Sequence, residues 1–249
     1  MIKSNSGTIS LFGQKVEPAS QIWNNVGYLV ETPYSYPDLS VKENLEVFYQ
    51  LRGLKDINQI DRIISILQLE HYRNKKAKYL SLGNCQRLGL AKALIHNPKL
   101  LILDEPINGL DPAGIVEIRE FLKDLVKNHN TTIFLSSHIL SEISKVATRI
   151  GIVHNGRLIK EINTNELEHQ IIKKLCINTS DNRKALQLLN DKDYSASINE
   201  LGLIESIDSR ALTQLENIST LLVNSGLPPK MLNVFEEDLE AYFLRMIGN

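Results

Sequence analysis

The sequence predicts an α/β protein built around a buried parallel sheet, followed by a smaller α+β appendage of ferredoxin-like order. Three observations carry this. Residues 100–103, Leu-Leu-Ile-Leu, form a continuous apolar run closed by Asp104, Glu105 and a turn rich in Pro, Asn and Gly, as in a strand buried on both faces. After a helix-length amphipathic stretch, residues 131–138, TTIFLSSH, make a second β-branched run. From about residue 173 onward, strand-like and helix-like stretches follow in the order βαββαβ. Periodicity alone leaves a buried helix open for residues 100–103.

The elements follow in order. Residues 8–12 read as a short strand that Gly13 turns, and residues 25–30 as a strand running into Glu31-Thr32-Pro33. Apolar spacing of three and four predicts amphipathic helices over 41–52 and 57–69, separated by Gly53. Within them and just before, Tyr34, Tyr36, Phe48 and Tyr49 form an aromatic stripe that suits either a core or a partner surface, the core reading being the commoner. Ser81 and Gly83 precede or open a helix whose free backbone N–H groups suit an anion. Asp111-Pro112 predicts an N-cap with Pro at the first helical position, opening a helix to about residue 127. Past His138 come a helix over 139–147, a strand over 149–154, an Asn155-Gly156 hairpin turn and a strand over 158–162. The appendage is predicted as strands 175–178, 194–198, 203–207 and 231–235, with helices 183–190 and 211–225.

Composition narrows the function. A chain of 249 residues holds one large α/β domain or one domain plus a smaller one. With 28 Lys+Arg against 29 Asp+Glu, no overall field favours nucleic acid, and the basic run 73–78 has too few aromatics to suggest otherwise. Cys85 and Cys176 match no metal spacing and suit a reducing compartment. No apolar run reaches the ~20 residues of a membrane helix, and no signal-peptide layout opens the chain, so the expectation is a cytoplasmic protein.

Asp104 and Glu105 fall at the carboxyl end of a predicted parallel strand, where open α/β sheets bind ligands. Acids after strands often only cap helices; what weighs against that here is the order of the motifs around them. Leu80-Ser81-Leu82-Gly83 with Gln86-Arg87, then Leu101-Ile102-Leu103-Asp104-Glu105, then Gly109-Leu110-Asp111, then His138, together resemble the nucleotide-binding domain of ABC transporters. In that resemblance they are the signature motif, the Walker B strand with its catalytic Glu, the D-loop and the switch histidine.

The resemblance implies a P-loop NTPase-type fold over residues 1–170, with a helical subdomain over about 38–97 and an accessory domain over 171–249. It implies ATP and Mg2+ as cofactors, Asp104 and Glu31 as magnesium ligands, and Glu105 and His138 as catalytic residues. Ser81, Leu82 and Gly83 would clamp nucleotide on a second nucleotide-binding subunit, and Asp111 would link the two sites. The implied partners are that second subunit and an integral membrane permease, with the protein peripheral at the cytoplasmic face of the membrane.

Glu31 occupies the position of the usual Q-loop Gln. With Tyr36-Pro37-Asp38-Leu39, Glu43-Asn44-Leu45 and Ser136-Ser137-His138-Ile139, it resembles the branch that exports, or confers immunity to, bacitracin and lantibiotics. The terminal residues 236–243 resemble the closing helix of such ATPases. Asn84, Cys85 and Ile107 depart from that branch's usual residues.

The phosphate-binding G-x-x-x-x-G-K-[ST] is expected before residue 6 and is not found in this sequence. Gly109 and Gly114 have its spacing, but Ile115 and Val116 follow them. Three readings stay open: an N-terminally shortened exporter ATPase, a non-hydrolysing partner that supplies only its signature face, or an unstable remnant.

Overall fold

The computed structural model describes residues 5–17 and 20–248. They form two compact units, divided between His138 and Ile139.

In the first unit, β1 (Ser10–Leu11) and β2 (Gln14–Lys15) form a small antiparallel hairpin at Gly13, whose φ is +74°. The strand expected over 8–12 is cut to two residues because its apolar side chains, Ile9 and Phe12, find no core. β3 (Val26–Leu29) follows a 3-10 turn. α1 (Val41–Leu51) opens on a full capping box, with the Ser40 hydroxyl accepting from the Glu43 N–H and the Glu43 carboxylate accepting from the Ser40 N–H. α2 (Asn58–Ile66) ends earlier than the apolar spacing predicts, since Gln68 turns into the left-handed region at φ +55°. α3 (Leu82–Leu94) starts at the Ser81 N-cap. β4 (Leu100–Asp104), α4 (Pro112–His129) and β5 (Thr132–Ser136) complete the unit.

The order β3-β4-β5 is parallel throughout, so the apolar run at residues 100–103 is a strand and the helix alternative falls. Register puts Gly27 beside Leu101 and Leu29 beside Leu103, on the face packed by α3. The approach is so close that a Cβ on Gly27 would stand 2.2 Å from the Ala93 carbonyl oxygen. On the opposite face, Tyr28, Ile102 and Phe134 form one row across the three strands, and Tyr28 and Phe134 are 63% and 69% exposed. Among the described residues no strand pairs with the outer edge of β5.

In the second unit, the helix expected over 139–147 is the single turn α5 (Leu140–Ile143). Ser144 donates its hydroxyl to the Ser141 carbonyl, a local bond that competes with helix propagation. β6 (Arg149–His154) and β7 (Arg157–Asn163) form a hairpin whose turn residues, Asn155 and Gly156, take φ of +48° and +73°, as an Asn-Gly hairpin turn requires. α6 (Thr164–Gln170) follows.

Then come β8 (Lys173–Asn178), α7 (Asn182–Asn190), β9 (Ser197–Ile198), β10 (Ile204–Ser206), α8 (Ser209–Thr213), α9 (Leu215–Asn224), β11 (Met231–Glu236) and α10 (Leu239–Ile247). The sheet order β11-β8-β10-β9, antiparallel at every pairing, is the ferredoxin-like arrangement. The helix expected over 211–225 is broken at Gln214, where the Thr213 hydroxyl bonds back to Ser209 O and Arg210 O. The closing helix starts at the Asp238 N-cap, because Glu236 still pairs with Lys173 in β11. Two cores result: Leu175, Ile177, Leu189, Ile204 and Ile218 under the sheet, and Ile152, Ile162, Leu167 and Tyr242 under α10. No helix of the described residues is long and apolar enough to cross a membrane.

Candidate functional site

Because β4 and β5 are parallel, their last residues, Asp104 and Ser136, end side by side at one rim of the sheet. The Ser136 hydroxyl donates to Asp104 Oδ1 at 2.5 Å, which orients a carboxylate otherwise open to solvent. Directly after it the backbone turns sharply, with Glu105 in the left-handed region at φ +49°. Such a conformation is uncommon for a long side chain and costs ~1 kcal/mol or more. Three hydrogen bonds fix it: the Glu105 N–H donates to Ser136 O at 3.2 Å, and the Glu105 carbonyl accepts from Asn108 N–H and from Gln86 Nε2, each at 3.1 Å.

The kink sends the Glu105 carboxylate toward His138, whose Nδ1 stands 3.0 Å from Oε2. That contact has the length of a hydrogen bond but not its alignment, so Oε2 is a buried carboxylate oxygen without a protein donor. The His138 ring itself is largely exposed.

Of the other predicted residues, Ser81 caps α3, its hydroxyl accepting from the Asn84 N–H at 3.3 Å. Leu82 is exposed and lies over Gly109, where a Cβ would come 2.2 Å from Leu82 Cδ2 and where φ is +73°. Gly83 faces Leu110 in the same way, with 3.3 Å left for a Cβ. The N-terminal end of α3 is thus seated on the 109–110 turn of its own chain. Asp111 caps α4 through Gly114 N–H at 2.9 Å, as its sequence position predicts. Glu31 lies just beyond β3 and is exposed. The aromatic stripe divides: Tyr49 is core, whereas Tyr34 and Tyr36 are exposed and meet edge to face at 5.9 Å.

Two residues have roles that sequence reasoning missed, Gln86 and Lys92, both buried polar side chains on α3. The available signal was their place among Leu, Ala and Gly on a helix with no polar face to spare. Lys92 Nζ donates to Tyr34 O and to Ser35 Oγ, the latter at 2.8 Å, and lies 5.3 Å from the Phe48 ring centre. No carboxylate is among those partners, and burial pushes its pKa down to about 8.

Among the described residues no three His, Cys, Asp or Glu side chains converge as a preformed metal site. Magnesium needs no such cluster, since it binds through one or two carboxylates, waters and substrate phosphates. The open Asp104 carboxylate fits such a hydrated ion, and Glu105 Oε2, 3.0 Å from His138 Nδ1 but without a hydrogen-bond donor, fits a water beside it. The glycine-rich phosphate loop is not among the described residues.

The ABC transporter family matches residues 1–108. The chain is 39% identical to the bacitracin transport ATP-binding protein BcrA of Bacillus licheniformis over 100% of its own length and 81% of that protein's. Against the BcrA of Enterococcus faecalis the figures are 38%, 97% and 79%. The lantibiotic transport ATP-binding protein SrtF of Streptococcus pyogenes is 38% identical over 65% of this chain and 69% of its own. A solved ATP-binding subunit of an ABC transporter matches with TM-score 0.59 at 27% identity, over 67% of this chain and 70% of that one. A dimeric ATP-binding cassette bound to ADP and Pi shares the fold, with TM-score 0.58 at 22% identity over 64% and 74%. The chain belongs to the ABC transporter family, as one of its ATP-binding subunits.

Proposed function

We propose that this subunit drives export of antimicrobial peptides of the bacitracin or lantibiotic kind, and that Glu105, His138 and Asp104 form its hydrolytic centre. The observation that carries the reading is the Glu105–His138 approach of 3.0 Å at the rim where Asp104 ends β4. The reaction is phosphoryl transfer to water, in which positioning and charge outweigh covalent chemistry. Glu105 Oε2, buried and without a protein donor, is set to accept a proton from a water and so orient it for attack. His138, exposed on its outer side, presents its ring to the γ-phosphate while its inner nitrogen faces Glu105. Asp104 and Glu31 would hold magnesium, which when bound neutralises charge on the phosphate oxygens. The Ser136 hydroxyl keeps Asp104 in one orientation for that task.

Ser81, Leu82 and Gly83 meet nucleotide on a second nucleotide-binding subunit, and Asp111 links the two sites, as the exposure of Ser81 and Leu82 supports. An integral membrane permease contacts the exposed Tyr34–Tyr36 pair, with the subunit at the cytoplasmic face of the membrane. Residues 1–170, with the helical subdomain over about 38–97, serve nucleotide chemistry, and residues 171–249 serve docking or regulation.

The test is Glu105→Gln in membrane vesicles carrying the complete transporter. ATP binding is retained, while turnover falls about 100-fold or more, the scale of a lost general base, and protection of cells against bacitracin is lost. Turnover above a third of wild type would overturn the assignment.

A further inference from the structure

We propose that Gln86 is a positioning residue for Glu105, tying the helix that carries Ser81 and Gly83 to the backbone of that residue in its own subunit. The inference rests on the reading of Glu105 as the water-orienting base. Gln86 is 1% exposed, and its Nε2 donates to the Glu105 carbonyl across 19 residues of sequence. A buried amide is costly unless bonded, and here its donor meets the one residue of the rim whose backbone is left-handed. Glu lacks the short side chain by which Asn or Asp supports that conformation locally, so the bonds must come from outside the residue. Ser136 supplies one from β5, Asn108 one from the turn, and Gln86 one from α3.

The consequence is directional. Gln86 lies five residues past the Ser81 N-cap, about 7.5 Å along the helix axis. A shift or rotation of α3 when its N-terminal end engages nucleotide therefore moves the donor that aims Glu105. Because Asn108 still donates to the same carbonyl, losing Gln86 loosens the kink without unfolding it. A donor lost at a kinked catalytic residue degrades geometry in the transition state more than ground-state binding.

The experiment compares wild type, Gln86→Met, Glu105→Gln and the double variant in vesicles carrying the complete transporter. Gln86→Met is expected to lower kcat about tenfold with the KM for ATP within twofold, and to add nothing in the Glu105→Gln background. Independently of activity, amide exchange in the peptide spanning residues 104–109 should quicken at least about fivefold while the Trp23 unfolding midpoint holds. A Gln86→Met kcat within twofold of wild type beside an inactive Glu105→Gln overturns the positioning role alone. So does an equal loss in both backgrounds. Retained turnover in Glu105→Gln overturns the reading of the site itself.

Discussion

Lys92 offers the sharpest test of the packing around α3. Its ammonium is buried against Tyr34 O, Ser35 Oγ and the Phe48 ring, and burial moves its pKa from 10.5 to about 8. In the unfolded chain the amine keeps its proton up to about pH 10.5, whereas in the fold it releases it above about 8, so the unfolded state holds more protons between them. Stability from this group therefore rises with pH across that window. At ~1.36 kcal/mol per unit, the buried charge costs the fold about 3 kcal/mol at pH 7 relative to a neutral amine in the same place.

Lys92→Met removes that cost but leaves the Tyr34 carbonyl and the Ser35 hydroxyl without this part-buried donor, a loss of about 1–3 kcal/mol. The two effects nearly cancel at pH 7. At higher pH only the loss remains, so the advantage of wild type over Lys92→Met should grow by up to about 3 kcal/mol between pH 8 and 10.5. Trp23, the single tryptophan, lies in the same unit and reports urea unfolding at each pH. Subtracting the variant's curve cancels the titration of shared residues. A difference that stays flat, or shrinks as pH rises, would refute the reasoning.

Gly27→Ala should destabilise the first unit by about 3 kcal/mol or prevent its folding, because the new methyl meets the Ala93 carbonyl at 2.2 Å and Leu101 Cδ2 at 2.8 Å; the Trp23 urea midpoint measures it. His96 is held neutral by burial first and by nearby Arg52 second, so its folded pKa lies below the unfolded one. The unfolded state then takes up the proton first as pH falls below about 6.5, and stability drops there; His96→Gln should flatten that acid limb between pH 7 and 5, and equal slopes would count against it.

What was legible in the sequence is what local pattern encodes. Residues 100–103 declared a strand because no polar residue interrupts them, and Asp111-Pro112 declared a cap because both residues favour that position. The convergence of Glu105 and His138 was legible only through motif order, since residues 33 positions apart meet by way of parallel register. The helix expected over 139–147 failed because apolar spacing is silent about serines that bond their own backbone. Gln214 broke the other long helix for the same kind of reason, through Thr213. The partner of Gln86 could not be read at all, because the carbonyl it finds is exposed to it only by a left-handed turn at a Glu, a conformation no propensity favours.

That last contact belongs to a wider pattern. On α3 or just past its end, Gln86, Lys92 and His96 bond main-chain oxygens of three other segments: Glu105 at the rim, Tyr34 in the loop after β3, and Val26 in β3 itself. Apolar packing alone would let this largely apolar helix slide or rotate with little penalty, since dispersion contacts are numerous and non-directional. A polar bond from a largely buried side chain has less tolerance, because a displacement that breaks it leaves a desolvated donor unpaired, at ~1–3 kcal/mol. With three such bonds aimed at three segments, α3 moves only if the rim, the loop and the strand move with it. A helix whose N-terminal end carries Ser81 and Gly83 is thereby held in register with the acid at Glu105, and the polarity of its buried face is better explained by that coupling than by stability, which leucine at the same positions would serve at least as well.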